Sequence, residues 1–298
     1  MKKSLELAGV IVLISLITSA ARCTNGSSTA AIGDQAMEWT GKIVDFGPRP
    51  SGSDGSKIVR EWILQQTKVL SFEAQEHAFT STTPAGPVNM VNVSYVIPGK
   101  NHDRRVVLVA HYDSKFFTGF SFVGANDAAS SVALLMALSA PIKKMNLAFD
   151  VEVVFVDGEE AIVSWSDTDS LYGSKRYVAG LENTASIKAA IIVDMIGDKD
   201  LTFIRSSHSD LHLVSAMEKT LKNIGKSKLL DTQVSFVEDD HMPFVNVGIP
   251  VLHVMDFTYG GTQSPGTIWH TAQDTLDKLS ADSLSTTAQV ILGVLGSL

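Results

Sequence analysis

The chain has 298 residues, a formal net charge of −8 and a pI of about 5.4. Its 24 Lys and Arg face 32 Asp and Glu with no basic run, which argues against nucleic acid as a partner. The single cysteine, Cys23, excludes an internal disulfide framework, so the fold must rest on core burial and on whatever metal His and carboxylates can hold.

The first residues have the layout of a secretory signal peptide, expected over 1–21. Lys2 and Lys3 precede an apolar stretch from Leu7 to Ile17, and small residues follow at Thr18, Ser19, Ala20 and Ala21. The stretch is shorter than the roughly 20 apolar residues of a membrane helix. No later segment is expected to cross a bilayer, so the mature protein is predicted to be secreted, or luminal in the secretory pathway, without a membrane span. Residues 24–33 read as a flexible lead-in, and 34–298 as a single domain. Two N-glycosylation sequons occur, at Asn25 and Asn92, the second inside an expected strand.

Pro48 to Ser53 form a rigid turn. A helix is predicted over Ser56–Leu70, with Val59, Trp62, Ile63 and Leu70 on one face. Short β-branched runs follow at Met90–Ile97, Val106–Ala110, Val151–Val156, Ala190–Val193 and Val251–Val254. Most are apolar on both faces, as in buried, largely parallel strands. Helical patterns at Ala128–Ala140, Leu171–Ala179, Leu211–Ile224 and Ala281–Leu295 alternate with them. The predicted fold is α/β, a three-layer sandwich with a mostly parallel, mixed central sheet flanked by helices.

Titratable residues stand where these strands end. Val106–Ala110 runs into His111-Tyr112-Asp113, Val151–Val156 into Asp157-Gly158-Glu159-Glu160, Ala190–Val193 into Asp194, and Val251–Leu252 into His253. Open α/β sheets bind ligands beyond the carboxyl ends of their strands, so these residues should converge. Zinc takes His nitrogen and carboxylate oxygen, and three protein ligands leave one position open. Candidate ligands are Asp127, expected to open a helix, one of Glu159 and Glu160, and His270. Neighbours on an extended segment point apart, so one glutamate can ligate while the other serves as an acid/base. Glu238-Asp239-Asp240-His241 is a second acidic cluster, which reads either as an exposed turn or as carboxylates sharing a proton or cation. His77, His102, His208 and His212 lack comparable context. No Gly-x-Ser-x-Gly elbow is present to support a serine nucleophile.

The motifs His111-Tyr112-Asp113-Ser114-Lys115, Phe122-Val123-Gly124-Ala125-Asn126-Asp127, Asp157-Gly158-Glu159-Glu160-Ala161, Asp169-Ser170-Leu171-Tyr172-Gly173-Ser174, Asp239-Asp240-His241-Met242-Pro243-Phe244 and Trp269-His270-Thr271 together resemble the animal glutaminyl-peptide cyclotransferases, over roughly residues 48–290. That resemblance implies a zinc-aminopeptidase-like fold and a catalytic domain acting on peptides and proteins with N-terminal Gln, and more weakly Glu. It implies one zinc per chain on Asp127, Glu160 and His270, with Glu159 as proton shuttle and Asp194 and Asp239 hydrogen-bonding around it. Trp165, Trp269, His253 and Glu238 would contact substrate, and a monomer is the expected state.

Three features depart from the family pattern. Glu238 stands where the family has Gln. Sixteen residues separate His253 from His270, and the extra Thr258–Pro265 segment is expected to reshape the entrance. No disulfide is possible near the site. A rival reading is a dinuclear zinc aminopeptidase of the same fold, with His111 and Asp194 as further ligands. A third is a non-catalytic binding ectodomain.

Overall fold

The computed structural model describes the chain from Ile17 to Leu298, with side chains from Thr29 onward. Most of the expected signal peptide, and the Asn25 side chain, lie outside the described residues. The stretch read as a flexible lead-in is instead part of helix α1, Ile17–Asp45. Its small, polar residues look like a loop in isolation, but Ile32, Ala36 and Ile43 are buried, and the helix packs on the last helix of the chain. Tertiary burial supplies the stability that local propensity does not.

Helix α2, Asp54–Val69, starts where Ser53 accepts a hydrogen bond from the Ser56 amide, an N-cap. It buries Val59, Trp62 and Ile63 as predicted, and Thr67 beside them. Two strands follow as an antiparallel hairpin, β1 (Gln75–Thr83) and β2 (Gly86–Ile97). β1 is mostly polar and exposed at one edge of the sheet, so it carries no apolar run to betray it. Asn92 in β2 is buried, donating to the Gly173 carbonyl and accepting from the Asp157 amide, so this sequon is closed to glycosylation in the folded protein.

The central strands are β3 (Arg105–His111), β4 (Asp150–Val156), β5 (Ile187–Asp194) and, after two outlying strands, β8 (Val251–Met255). The six-stranded order is β1-β2-β4-β3-β5-β8. β3, β4, β5 and β8 run parallel, and β2 is antiparallel to β4, giving the mixed sheet expected. Alternate residues of β3 serve two cores. Val106, Leu108 and Ala110 pack into the larger one, with residues of α1, α2 and three helices yet to come. Val107 and Val109 pack into the smaller one on the opposite face. The outlying pair, β6 (Phe203–Ser206) and β7 (Leu230–Ser235), forms a separate two-stranded parallel sheet too short to stand out in the sequence.

Helix α3 spans Ser131–Met145 and runs through Pro141, where the sequence reading stops at Ala140. Burial of Leu138 and Ile142 on either side outweighs the hydrogen bond that proline forfeits. With the preceding turn, Ala125–Met145 does have the length and apolar character of a membrane helix, contrary to expectation, but 89% of its most apolar window is buried inside the protein. It is the helix at the centre of the larger core. The remaining helices are α4 (Tyr172–Ala179), α5 (Leu211–Asn223), the short α6 (Met242–Asn246) and α7 (Ala281–Leu295). α5 and α7 cover the larger-core face with α1 and α3, while Val178 of α4 and Phe244 of α6 pack on the other, completing three layers.

Candidate active site

The parallel strands deliver their chemistry at one edge. His111 is the last residue of β3, and Asp194 the last of β5. His111 Nε2 lies 3.2 Å from Asp127 Oδ1 and 3.4 Å from Asp194 Oδ1. Burial works against charging this imidazole, but Asp113, Asp127 and Asp194 outweigh it and hold its pKa well above the ordinary value. His253 sits inside β8 rather than beyond its end, and reaches the site through Asp239.

After β4 the chain turns at Gly158, whose φ of +78° a side chain would strain and whose added Cβ would meet Met90 Sδ at 2.7 Å. Asp113 then accepts from the amides of both Glu159 and Glu160 at 3.2 Å, one to each oxygen. This clamp fixes the diglutamate backbone and sends its side chains apart. Glu160 meets His270 Nε2 at 3.0 Å and Lys115 Nζ at 3.6 Å. Glu159 is buried, and its neighbours include Asp239, Asp240 and His111. Burial first, then the Glu160, Asp239 and Asp240 carboxylates, push its pKa well above the ordinary range, against the pull of His111.

Asp127 does not open a regular helix. It lies in a wide turn, Ala125–Ser130, with non-helical φ −105° and ψ 88°, and α3 begins only at Ser131. Its amide is taken by the Asp274 carboxylate at 3.1 Å. Its own carboxylate faces two ways, Oδ1 to His111 and Oδ2 to His270 Nε2 at 3.3 Å. The two imidazoles hold Asp127 far below the usual carboxylate range despite its burial. His270 has a φ of +55°, and its ring stacks on Trp269 with centroids 3.9 Å apart. Burial opposes its protonation, but Asp127 and Glu160 raise its pKa to about 10.

Among the described residues, three groups bring ligand atoms within metal-binding range: Asp127–Glu160–His270, His111–Asp127–Asp194 and Asp239–His241–His253. Tetrahedral ligands about 2.0–2.2 Å from zinc lie roughly 3.3–3.6 Å from one another. The first two groups approach that spacing and share Asp127. In the third, Asp239 Oδ2 and His253 Nε2 are 2.6 Å apart, a hydrogen-bond length, and the His241 and His253 rings stack at 4.4 Å. That group is an Asp–His pair backed by a buried imidazole, and His253 brings the Asp239 pKa down to about 2 against its burial. Asp194 is pushed up to about 7, by burial above all.

A cavity of about 410 Å³ opens over these groups. Asp127, Glu160 and His270 all line it, with Glu159, Asp194 and Asp239. His111 does not, and is buried. Trp165 and Trp269 form part of the wall, and Glu238 stands in it beside the exposed Phe236. None of Thr258–Pro265 lines the cavity. Tyr259 turns inward and is fully buried, while Met255 and Phe257 just before the segment line the wall, Phe257 edge-on to Trp269.

The sequence reading placed no role on Asp113, Lys115, Asp274 or Arg49. Arg49 is fully buried and donates to the Tyr112, Val123 and Gly124 carbonyls, bracing the loop that carries Asp127. Asp113, Asp274 and Arg49 act largely on backbone atoms, and Lys115 pairs with Glu160 while donating to the Ala161 carbonyl.

Residues 92–295 match the family model described as Peptidase family M28. The glutaminyl-peptide cyclotransferase of Bothrops jararaca is 30% identical over 288 residues, covering 82% of this chain and 76% of that protein. The crystal structure of an Acidobacteriales bacterium glutaminyl cyclase superposes with a TM-score of 0.83 at 36% identity, covering 88% of this chain and 93% of that one. A Zn-dependent exopeptidase from Parabacteroides distasonis shares the fold, with a TM-score of 0.80 at 19% identity over 89% of this chain and 98% of that one. The chain therefore belongs to Peptidase family M28, and within it to the glutaminyl-peptide cyclotransferases.

Proposed function

We propose that this enzyme cyclises the N-terminal glutaminyl residue of peptides and proteins, and more weakly a glutamyl residue, to pyroglutamate, releasing ammonia from glutamine. The observation that carries this reading is a single cavity wall holding a three-ligand metal set, an adjacent high-pKa carboxyl and two indoles. The donor set of two carboxylates and one imidazole, at the spacing found, fits zinc with a position left open. Zinc held by Asp127, Glu160 and His270 would supply Lewis-acid polarisation of the substrate's γ-carboxamide oxygen.

The protein groups do the rest. Trp165 and Trp269 flank the glutaminyl side chain and direct its carboxamide carbon toward the α-amino nitrogen. Glu159 takes a proton from that nitrogen as the new N–C bond forms, and returns it to the departing amide nitrogen as the old C–N bond breaks. A carboxyl pKa raised toward neutrality suits a group that must both accept and donate. Asp194 and Asp239 border the shuttle and limit where its proton can go, and His253 holds Asp239. Glu238 faces the part of the peptide leaving the cavity. Secretion of a monomer rests on the leader layout of residues 1–21 and the family resemblance.

The His111–Asp127–Asp194 spacing supports a second reading, a dinuclear aminopeptidase. Against it, His111 stays out of the cavity wall. One experiment separates them. A Gln-initiated peptide incubated with the enzyme should release ammonia without shortening, the activity should be lost to a chelator, and about one zinc per chain should restore it. A free amino acid as the product, with two zincs bound, would establish the peptidase instead.

A further inference from the structure

No residue of the Thr258–Pro265 segment lines the cavity. What it contributes lies beneath. Tyr259 is fully buried, and its hydroxyl donates to Asp274 Oδ1 at 2.8 Å. The same Asp274 oxygen accepts from the Asn126 amide at 2.8 Å, and Oδ2 accepts from the Asp127 amide at 3.1 Å. The Asp274 carbonyl accepts from the Ala125 amide in addition. One carboxylate thus gathers the backbone donors of the turn that presents Asp127.

Asp274 also sits four residues after His270, in a tight turn closed by the Asp274 amide on the Thr271 carbonyl. The segment that delivers Tyr259 is itself anchored. Gly260 donates to Asp198 Oδ2 at 2.9 Å, Gly266 to the Phe257 carbonyl at 2.9 Å and Ile268 to the Tyr259 carbonyl at 3.2 Å. Gly260 has a φ of +73°, and a Cβ there would meet Ile268 Cγ1 at 2.3 Å, so the turn closes with no room for a side chain. The Tyr259–Asp274 pair therefore spans the two loops that carry Asp127 and His270, two of the three residues in the cavity-lining metal set.

We propose that Tyr259 is a positioning residue for the metal site: through Asp274 it fixes the Asp127 turn relative to His270. The inference rests on the ligand set proposed above, but not on the reaction. Groups that orient metal ligands from behind commonly contribute 10–100-fold in metal affinity when removed. Asp274 accepts three hydrogen bonds through its carboxylate, and without the phenol it keeps two and gains freedom to rotate.

The test is Tyr259→Phe, which keeps the ring that fills the core and removes only the hydroxyl. Zinc affinity, measured by competition with a chromophoric chelator, should fall about 10-fold. The thermal midpoint of the zinc-free protein should change by no more than a few degrees. On Gln-peptide, kcat measured at limiting zinc should drop and return with excess zinc, at unchanged KM. Asp274→Asn, which keeps one acceptor oxygen, should weaken zinc further. Zinc affinity within twofold of wild type in both folded variants would overturn the proposal, as would a lost activity that excess zinc fails to restore. If zinc affinity depends on Tyr259 but no Gln-peptide is cyclised, the function is wrong and the positioning role stands. Should Tyr259→Phe not fold, Asp274→Asn decides by the same affinity measurement.

Discussion

Asp113 never needs to touch substrate to matter. By accepting from two successive amides it decides that Glu159 and Glu160 diverge, and so that one can serve a metal while the other serves a proton. The division of labour between the glutamates is testable at Glu159 itself. Glu159→Gln keeps the shape and removes the exchangeable carboxyl, and should lower kcat by about 10²–10⁴-fold, the range for loss of a general acid/base. Zinc content by metal analysis should stay at the wild-type level, because Glu159 is not in the ligand set. Loss of zinc along with turnover would place Glu159 on the metal. At this scale the sequence was informative about side chains that meet other side chains. Asp127, Glu160 and His270 stand in recognisable motifs at strand ends and loops. Asp113, Asp274 and Arg49 bind backbone atoms of residues distant in sequence, and a carboxylate that caps amides leaves no spacing pattern to read.

Among the elements, the buried strands were legible because both their faces are apolar, and α7 because its apolar stripe lies between a Ser N-cap and a terminal glycine. Helix α1 was not. Its composition of Ser, Thr, Gly and Ala carries no strong period, and it is helical because α7 and α3 offer it a surface. Gly33 packs against the start of α7: an added Cβ would lie 2.2 Å from the Ala281 carbonyl oxygen and 2.9 Å from Ser285 Cβ. Ala is the better helix former in isolation, yet Gly33→Ala should destabilise the protein by about 1–3 kcal/mol through overpacking. A lowered urea midpoint with an unchanged slope would show it. A gain in stability would mean that the contact between the helices is looser than described. β1 and the β6–β7 pair went unread for the opposite reason, since an exposed edge and a four-residue strand bury too little to need an apolar run.

Over the whole molecule, the fold concentrates acid. Asp113, Asp127, Asp157, Glu159, Glu160, Asp194, Asp239 and Asp240 are all buried around one end of the sheet. Folding therefore takes up protons at neutral pH. Asp157 is the plainest case: burial first, and then the Asp113 carboxylate, raise its pKa from the ordinary 3.8 to about 7. The unfolded chain ionises Asp157 near 3.8, whereas the folded chain resists until about 7. Its contribution to stability is thus full below about pH 4 and is lost as pH rises toward and through 7. The thermal midpoint should be lower at pH 8 than at pH 6. Asp157→Asn should flatten that difference, because Asn can accept from Val91 and Tyr112 and donate to Ser51, replacing the bonds Asp157 makes now. An unchanged slope between the two pH values in the variant would assign the effect to other carboxylates.

The sequence by itself determined the α/β class and five of the six strands of the central sheet, because apolar runs are local, and strand-end chemistry together with the family resemblance pointed to Asp127, Glu160 and His270. Only the tertiary structure decided that the lead-in is a helix, that Asp127 leaves the helix it was expected to open, that His111 lies behind the wall rather than in it, and that Tyr259 is buried against Asp274. Each of those outcomes turns on which groups distant in sequence are left to bury one another's surface or satisfy one another's backbone, and that choice is made only when the whole chain packs.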